Sequence, residues 1–184
     1  VPLLQNTLSS MFDIPIHHYA MIDFKSFETL IDVLAPNGIE IDVEKDMGGL
    51  IDVEIKKGLQ QLNGKELLGY ARFRSDAEGD FGRVARQQKV IEALKDELLS
   101  PKNMVNMPKF VGAAQGYMTT DLTNKDQLAT VLKAVSGGTM NVEKMTIPAE
   151  GTYKFGSYQH AGSVLEIDVE QNKQLLHDFL NLAE

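Results

Sequence analysis

The stretch FKSFETLIDVLAPNGIEIDV, residues 24–43, sets two periodicities side by side. Phe27, Leu30, Ile31 and Leu34 recur at three- and four-residue spacing, which places them on one face of a helix. Ala35-Pro36-Asn37-Gly38 is turn chemistry: proline fixes one φ angle, and asparagine and glycine tolerate the reversed one. Ile39, Ile41 and Val43 then alternate with Glu40 and Asp42, the pattern of a strand with one buried and one wet face.

Outward from this unit the alternation continues. Residues 1–13 carry Leu3, Leu4, Leu8, Met11 and Phe12 at helical spacing, and Pro15 ends that run. Residues 17–23 read as a strand. Beyond Gly48-Gly49, Ile51–Ile55 alternates again and is expected to be a strand. Asn63–Tyr70 reads as a short helix, residues 71–82 as irregular and polar, and a strong helix follows to about Leu99. Short helices are expected in the Met-rich 101–118 segment and a helix over Lys125–Val135, stopped by Gly137-Gly138. Val142–Ile147 and Val164–Val169 read as strands, and Glu170–Leu182 as a last helix. Strands interleaved with helices predict an α/β, layered α-β-α domain with a mixed central sheet flanked by helices. No linker composition divides residues 1–184, so a single domain is expected.

Composition narrows the function. The chain of 184 residues has a net charge of −8 and no cysteine. General nucleic-acid binding calls for a basic face, so direct nucleic-acid contact is not expected. Thiolate metal sites, disulfides and cysteine nucleophiles are excluded. No apolar run approaches the ~20 residues of a membrane span, and there is no P-loop and no G-x-S-x-G elbow. Asp42, Glu44 and Asp46 mimic the opening of a calcium loop. Met47 stands where that loop needs glycine, and Val53 where it needs its closing acid, so alternating acids on a wet strand face explain them better. No metal ligand is assigned in these residues.

The four arginines, Arg72, Arg74, Arg83 and Arg86, all lie in one 15-residue window, while fourteen lysines scatter elsewhere. Arginine's planar fork binds pairs of carboxylate or phosphate oxygens and keeps its charge when desolvated. Asp80 reads as the cap of the following helix, which puts Arg83 and Arg86 in a first turn where cations oppose the dipole unless an anion waits. On the wheel, Val84, Ile91, Leu94 and Leu98 form the apolar stripe, with Gln87 inside it and Arg83 at its edge. Arg72, Arg74, Arg83 and Gln87 are therefore expected to converge on one cavity holding a polyanion, most simply a diphosphate. The same arginines would also serve a local salt-bridge loop with Asp76, Glu78 and Asp80, and spacing leaves both open.

Leu62-Asn63-Gly64-Lys65-Glu66-Leu67-Leu68-Gly69-Tyr70-Ala71-Arg72-Phe73-Arg74, with Asp76, Gly79-Asp80-Phe81-Gly82-Arg83 and Arg86-Gln87-Gln88, resembles the signature of the LytR–CpsA–Psr family. Ile14–Tyr19 and the segment up to Val43 agree, with Pro36-Asn37-Gly38 where the family usually carries a Gly-Gly pair. The resemblance implies an extracytoplasmic, membrane-anchored phosphotransferase that moves a glycopolymer of teichoic acid or capsule type from a polyprenyl diphosphate carrier onto peptidoglycan. It implies that Arg72, Arg74, Asp80 and Arg83 do the catalytic work and that Arg86 and Gln87 bind substrate. It also implies Mg2+ held by aspartates in a preceding part. That part would carry the transmembrane anchor, making residues 1–184 the larger C-terminal portion of the catalytic domain. Members of the family are also labelled transcriptional regulators, so a non-catalytic polyprenyl-phosphate receptor is the alternative.

Overall fold

The computed structural model describes residues 1–49, 51–76, 79–100, 106–123, 125, 126, 129 and 143–182. Most of the helix expected over Lys125–Val135, the Gly137-Gly138 stop, residues 101–105 and Val142 lie outside them. The chain divides into two compact units, residues 20–142 and residues 1–19 with 143–184.

In the larger unit, β1 (Ala20–Ile22) leads into α2 (Phe24–Leu34), the helix read from the sequence. (The helix α1, Pro2–Phe12, belongs to the smaller unit.) Asp23 caps α2 by accepting from the Ser26 N–H at 2.7 Å, which satisfies one of the helix's orphan donors. Leu30, Ile31 and Leu34 are buried, as the spacing predicts, each stabilising the fold by about 1.5–3 kcal/mol. After the turn, β2 (Ile39–Val43) buries Ile39, Ile41 and Val43 and leaves Glu40 and Asp42 outside. Its partner is β3 (Gly58–Leu62), antiparallel, with Ile39 opposite Leu62 and Val43 opposite Gly58. The expected strand over Ile51–Ile55 does not form: only Ile55 bridges, to Met47. Its alternation has another cause. Val53 and Ile51 lean on α3 (Gly64–Arg72) at Gly69, where a Cβ would stand 2.4 Å from Val53 Cγ2.

A capping box opens α3. Asn63 Oδ1 accepts from the Glu66 N–H and Glu66 Oε2 from the Asn63 N–H, both at 3.0 Å, the reciprocal pairing such sequences favour. Next come α4 (Gly79–Leu99), α5 (Met107–Tyr117) and β4 (Met118–Thr120), which pairs antiparallel with β1. α3 packs on α2 and on α4, and α4 covers β2. The core so enclosed includes Ile31, Ile39, Ile41, Val43, Ile55, Leu67, Tyr70, Phe73 and Val90.

In the smaller unit α1 packs on α6 (Val169–Leu180). His177 Nε2–H reaches the carbonyls of Phe12 at 2.8 Å and Asp13 at 3.0 Å. Two acceptors around one nitrogen fix that nitrogen as the donor. A hairpin of β5 (Tyr153–Tyr158) and β6 (Gly162–Ile167) precedes α6. Of the strand expected over Val142–Ile147, the described residues 143–147 form none. The α/β class holds, and the described strands form three two-stranded antiparallel ribbons packed with helices.

Candidate functional site

All four arginines belong to the larger unit, on α3, on α4 and on the loop between them. Arg72 closes α3, a favourable end for a cation because the dipole is negative there. Its guanidinium carbon lies 4.3 Å from the centre of the Phe24 ring, a cation–π contact at an exposed position. Two residues on, Arg74 is 59% exposed, and its Nε lies 3.6 Å from Asp80 Oδ1.

The helix begins at Gly79, two residues earlier than a cap at Asp80 requires. Asp80 therefore sits inside the first turn, where an acid complements the dipole. Arg83 lies beyond that turn and bonds the same oxygen, Asp80 Oδ1, from Nη2 at 2.7 Å. So the first turn holds its own anion, and the dipole does not call for a bound ligand as the sequence reading expected. One carboxylate now orients two arginines. The Arg83 Nε is buried and has no hydrogen-bond partner among the described residues, a donor left over once Asp80 is satisfied.

Arg86 and Gln87 sit differently from the sequence reading. The buried face of α4 runs through Gly82, Arg86 and Val90, about a third of a turn away from the expected stripe. Ile91 is 54% exposed and Gln87 is exposed. Arg86, expected in the grip, points into the protein and is only 2% exposed. Its Nη2 donates to the Phe73 carbonyl at 2.8 Å, and its Nη1 to Asp76 Oδ2 at 3.1 Å and Glu44 Oε1 at 3.3 Å. The salt-bridge loop is thus realised for Arg86 with Asp76 and for Arg74 and Arg83 with Asp80; Glu78 lies outside the described residues. Glu44 Oε2 also accepts from the Tyr70 hydroxyl at 2.9 Å, and Asp76 from Lys45 Nζ at 3.1 Å.

This network perturbs its members. Burial pushes the Glu44 carboxyl up, but hydrogen bonds from its own N–H, from Tyr70 and from Arg86, with the Lys89 charge, outweigh it and hold Glu44 below its usual value. Asp76 likewise ends low, the desolvation overcome by Lys45, Arg86 and the Gly79 N–H. Burial, then the Glu44 carboxylate, drives the Tyr70 hydroxyl up, so it stays protonated as a donor.

Two cavities lined by described residues lie apart from Arg74 and Arg83. One of about 380 Å³ between β2 and α4 is rimmed by acids, among them Glu40, Asp42, Glu92 and Asp96. Arg72 borders a small cleft of about 30 Å³ with Lys65 and Gly69. The expected single cavity joining Arg72, Arg74, Arg83 and Gln87 is not seen among the described residues; what is brought together is Arg74, Asp80 and Arg83. Among the described residues no group of three or more His, Asp or Glu side chains is placed to hold a metal, and no helix is long and apolar enough to cross a membrane. Sequence reasoning missed Glu44 and Tyr70, whose signal was an acid at the end of β2 and a tyrosine within the α3 motif.

Residues 1–176 match the LytR_cpsA_psr family. The chain belongs to that family. Among relatives of this LytR_cpsA_psr chain, it is 44% identical over 179 residues to regulatory protein MsrR of Staphylococcus aureus, covering 97% of this chain and 55% of MsrR. It is 35% identical over 130 residues to the polyisoprenyl-teichoic acid–peptidoglycan teichoic acid transferase TagV of Bacillus subtilis, covering 67% of this chain and 33% of TagV. The crystal structure of TagV superposes with a TM-score of 0.73 at 29% identity, over 98% of this chain and 70% of that one. The chain thus spans about half the length of MsrR, and its 130 matched residues span a third of TagV's.

Proposed function

We propose that this chain is the arginine-bearing, larger C-terminal part of the catalytic domain of a phosphotransferase. The enzyme attaches a glycopolymer of teichoic acid or capsule type, carried on a polyprenyl diphosphate, to peptidoglycan at the outer face of the cell membrane, held there by a membrane anchor. Two supports meet. The family includes proteins named as teichoic acid transferases. And one carboxylate, Asp80, bridges Arg74 and Arg83, with the exposed Arg72 two residues before Arg74. That bridge is the observation that carries the reading. It holds the exposed guanidinium of Arg74 and the partly buried one of Arg83 together, with one buried Arg83 donor unspent.

In the reaction, a sugar hydroxyl of the acceptor attacks the phosphorus bonded to the polymer. The P–O bond to the polyprenyl-bearing phosphate breaks, the hydroxyl proton goes to a base, and polyprenyl phosphate leaves. Negative charge grows on the leaving phosphate, and preorganised guanidinium groups stabilise it at no cost in reorganisation. Arg72, Arg74 and Arg83 take that role, Asp80 orients Arg74 and Arg83, and the exposed Gln87 lies one helical turn beyond Arg83, beside the carrier. Magnesium, which the family resemblance implies, would neutralise further charge on the diphosphate. Among the described residues no group of three or more His, Asp or Glu side chains is placed to hold it.

The decisive test is Arg83→Ala in the full-length protein. Its pair with the half-exposed Asp80 is an i,i+3 surface contact of about 0.2–0.5 kcal/mol, so the melting temperature should move by no more than about 2 °C. Transfer of a labelled lipid diphosphate should fall by at least ~100-fold. A mutant that melts early and keeps its activity per folded molecule refutes the assignment. A receptor without turnover would need the same arginines, and the name of the staphylococcal relative, a regulatory protein, favours testing it. Binding of lipid diphosphate without any transfer by the wild type would establish that reading instead.

A further inference from the structure

Arg86 is the largest fully buried side chain among those described, and it carries a full charge. Burial of an ion pair is on balance weak support for a fold, since an apolar side chain of the same volume often does as well or better. Something other than stability has to explain a guanidinium at this place. Its contacts say what it holds. The Phe73 carbonyl, which Nη2 binds at 2.8 Å, belongs to the residue between Arg72 and Arg74. The guanidinium also lies over the Phe73 ring, 5.2 Å from its centre. Asp76, which Nη1 binds at 3.1 Å, accepts in turn from the Gly79 N–H at 3.1 Å through its other oxygen. Gly79 is the first residue of α4, one before Asp80. Glu44, the third acceptor, fixes Tyr70 two residues before Arg72.

From these distances we infer that Arg86 is a positioning residue: it sets the spacing between the Arg72/Arg74 pair and the Asp80/Arg83 pair without touching substrate. This rests on the phosphotransferase reading above. A single planar fork reaches the carbonyl, one carboxylate and part of a second from fixed directions. Lysine, a point charge on a flexible stem, cannot hold the three acceptors in that plane. With lysine at 86 the charge balance of the pocket survives, but the loop carrying Phe73 and Asp76 is free to drift by fractions of an ångström. Displacement of about 1 Å in a group that meets a transition state can lower a rate ~100-fold.

The experiment is Arg86→Lys, with Arg86→Met as a second variant, in the full-length protein. Transfer of a labelled polyprenyl-diphosphate glycopolymer is followed with melting temperature and amide exchange over residues 72–83. For Arg86→Lys the expected result is a folded protein whose kcat falls ~10- to 100-fold with KM changed less than about threefold. Exchange should be faster at 73–76 and 79–82 and unchanged in α2 and β2. If Arg86→Lys is poorly folded, Arg86→Met, which fills the volume without charge, must show the same kcat loss per folded molecule. An active wild type with either folded variant matching it in kcat and KM overturns the positioning role alone. Activity that merely tracks the folded fraction overturns it too. A wild type that transfers nothing refutes the phosphotransferase reading, and this inference with it.

Discussion

Gly64 is the first residue of α3, and its place against α2 is the tightest helix–helix approach found at any described glycine. A Cβ built there would stand 2.1 Å from the Glu28 carbonyl oxygen and 2.7 Å from the Glu28 Cα and carbonyl carbon. Ordinary contact begins near 3.4 Å, so Gly64→Ala demands that α2 and α3 separate by about 1.3 Å at a point where both neighbours are backbone. Overpacking of this kind costs roughly 1–3 kcal/mol. The move also stretches the 2.8 Å bond from the Gly64 N–H to Asp32 Oδ1, a charge-assisted bond worth about 1.5–3 kcal/mol. Alanine's better helix propensity returns at most ~1 kcal/mol. A net loss of about 3 kcal/mol is expected, or a drop of roughly 6–12 °C in melting temperature for a chain this size. Two other glycines calibrate the assay. At Gly69 the obstacle is Val53 Cγ2, a side chain that can rotate, so Gly69→Ala should cost less. At Gly112, within α5, nothing lies within 4 Å, so Gly112→Ala should be neutral or stabilise by up to ~1 kcal/mol. Melts of the three variants by circular dichroism read the order directly. A Gly64→Ala protein melting with or above Gly112→Ala would refute the packing argument.

Asn172 is fully buried and fully used: its amide donates to Thr152 Oγ1 and to the Asp168 carbonyl, both at 2.7 Å, and its oxygen accepts the Ala149 N–H at 2.8 Å. Asn172→Ala leaves a buried donor and acceptor unpaired and should cost about 2–4 kcal/mol; a loss below ~1 kcal/mol in denaturant titration would contradict that accounting. Glu44 and Asp76 have folded-state values held below their unfolded ones, so their contribution is complete above about pH 5 and is lost as pH falls through the folded values. Glu44→Gln should therefore flatten the fall in melting temperature between pH 5 and pH 3, roughly the window those carboxylates span; an acid limb identical to wild type would remove Glu44 from it. Tyr70 is shifted up, so its contribution is present below about pH 10 and lost as pH rises towards the folded value; Tyr70→Phe should show no such alkaline loss, and an alkaline limb unchanged by the substitution would rule the hydroxyl out.

The fold was legible where one rule applied without competition. Residues 24–43 carry a helical period, turn residues and a strict alternation, and α2 and β2 form within those bounds. Reading failed where pairing or packing supplied what the sequence lacks. Gly58–Leu62 is GLQQL, with Leu62 its only buried side chain; it is a strand because β2 offers it a ladder, which no local pattern announces. Ile51–Ile55 shows the opposite error. Its apolar side chains alternate because they face α3 across Gly69, and alternation records a buried face whether or not a ladder exists.

The site divides along the same line. Confinement of every arginine to residues 72–86 points to an oxyanion site or a salt-bridge loop, because arginine is chosen where geometry matters, and the structure shows Arg74, Arg83 and Arg86 in ion pairs. The phase of α4 was misread for a reason contained in that fact. A wheel counts arginine as polar and turns it to solvent, so the stripe was drawn through Ile91 with Gln87 inside it. Yet a guanidinium met by two carboxylates and a carbonyl can be buried as completely as an aliphatic side chain, and here Arg86 lies between Gly82 and Val90 on the inner face. The carboxylates that permit this come from residues 44 and 76, 42 and 10 positions away. No helical period registers partners so distant. Once they are in place, one arginine of the four holds the loop, and two of the other three are bridged by Asp80.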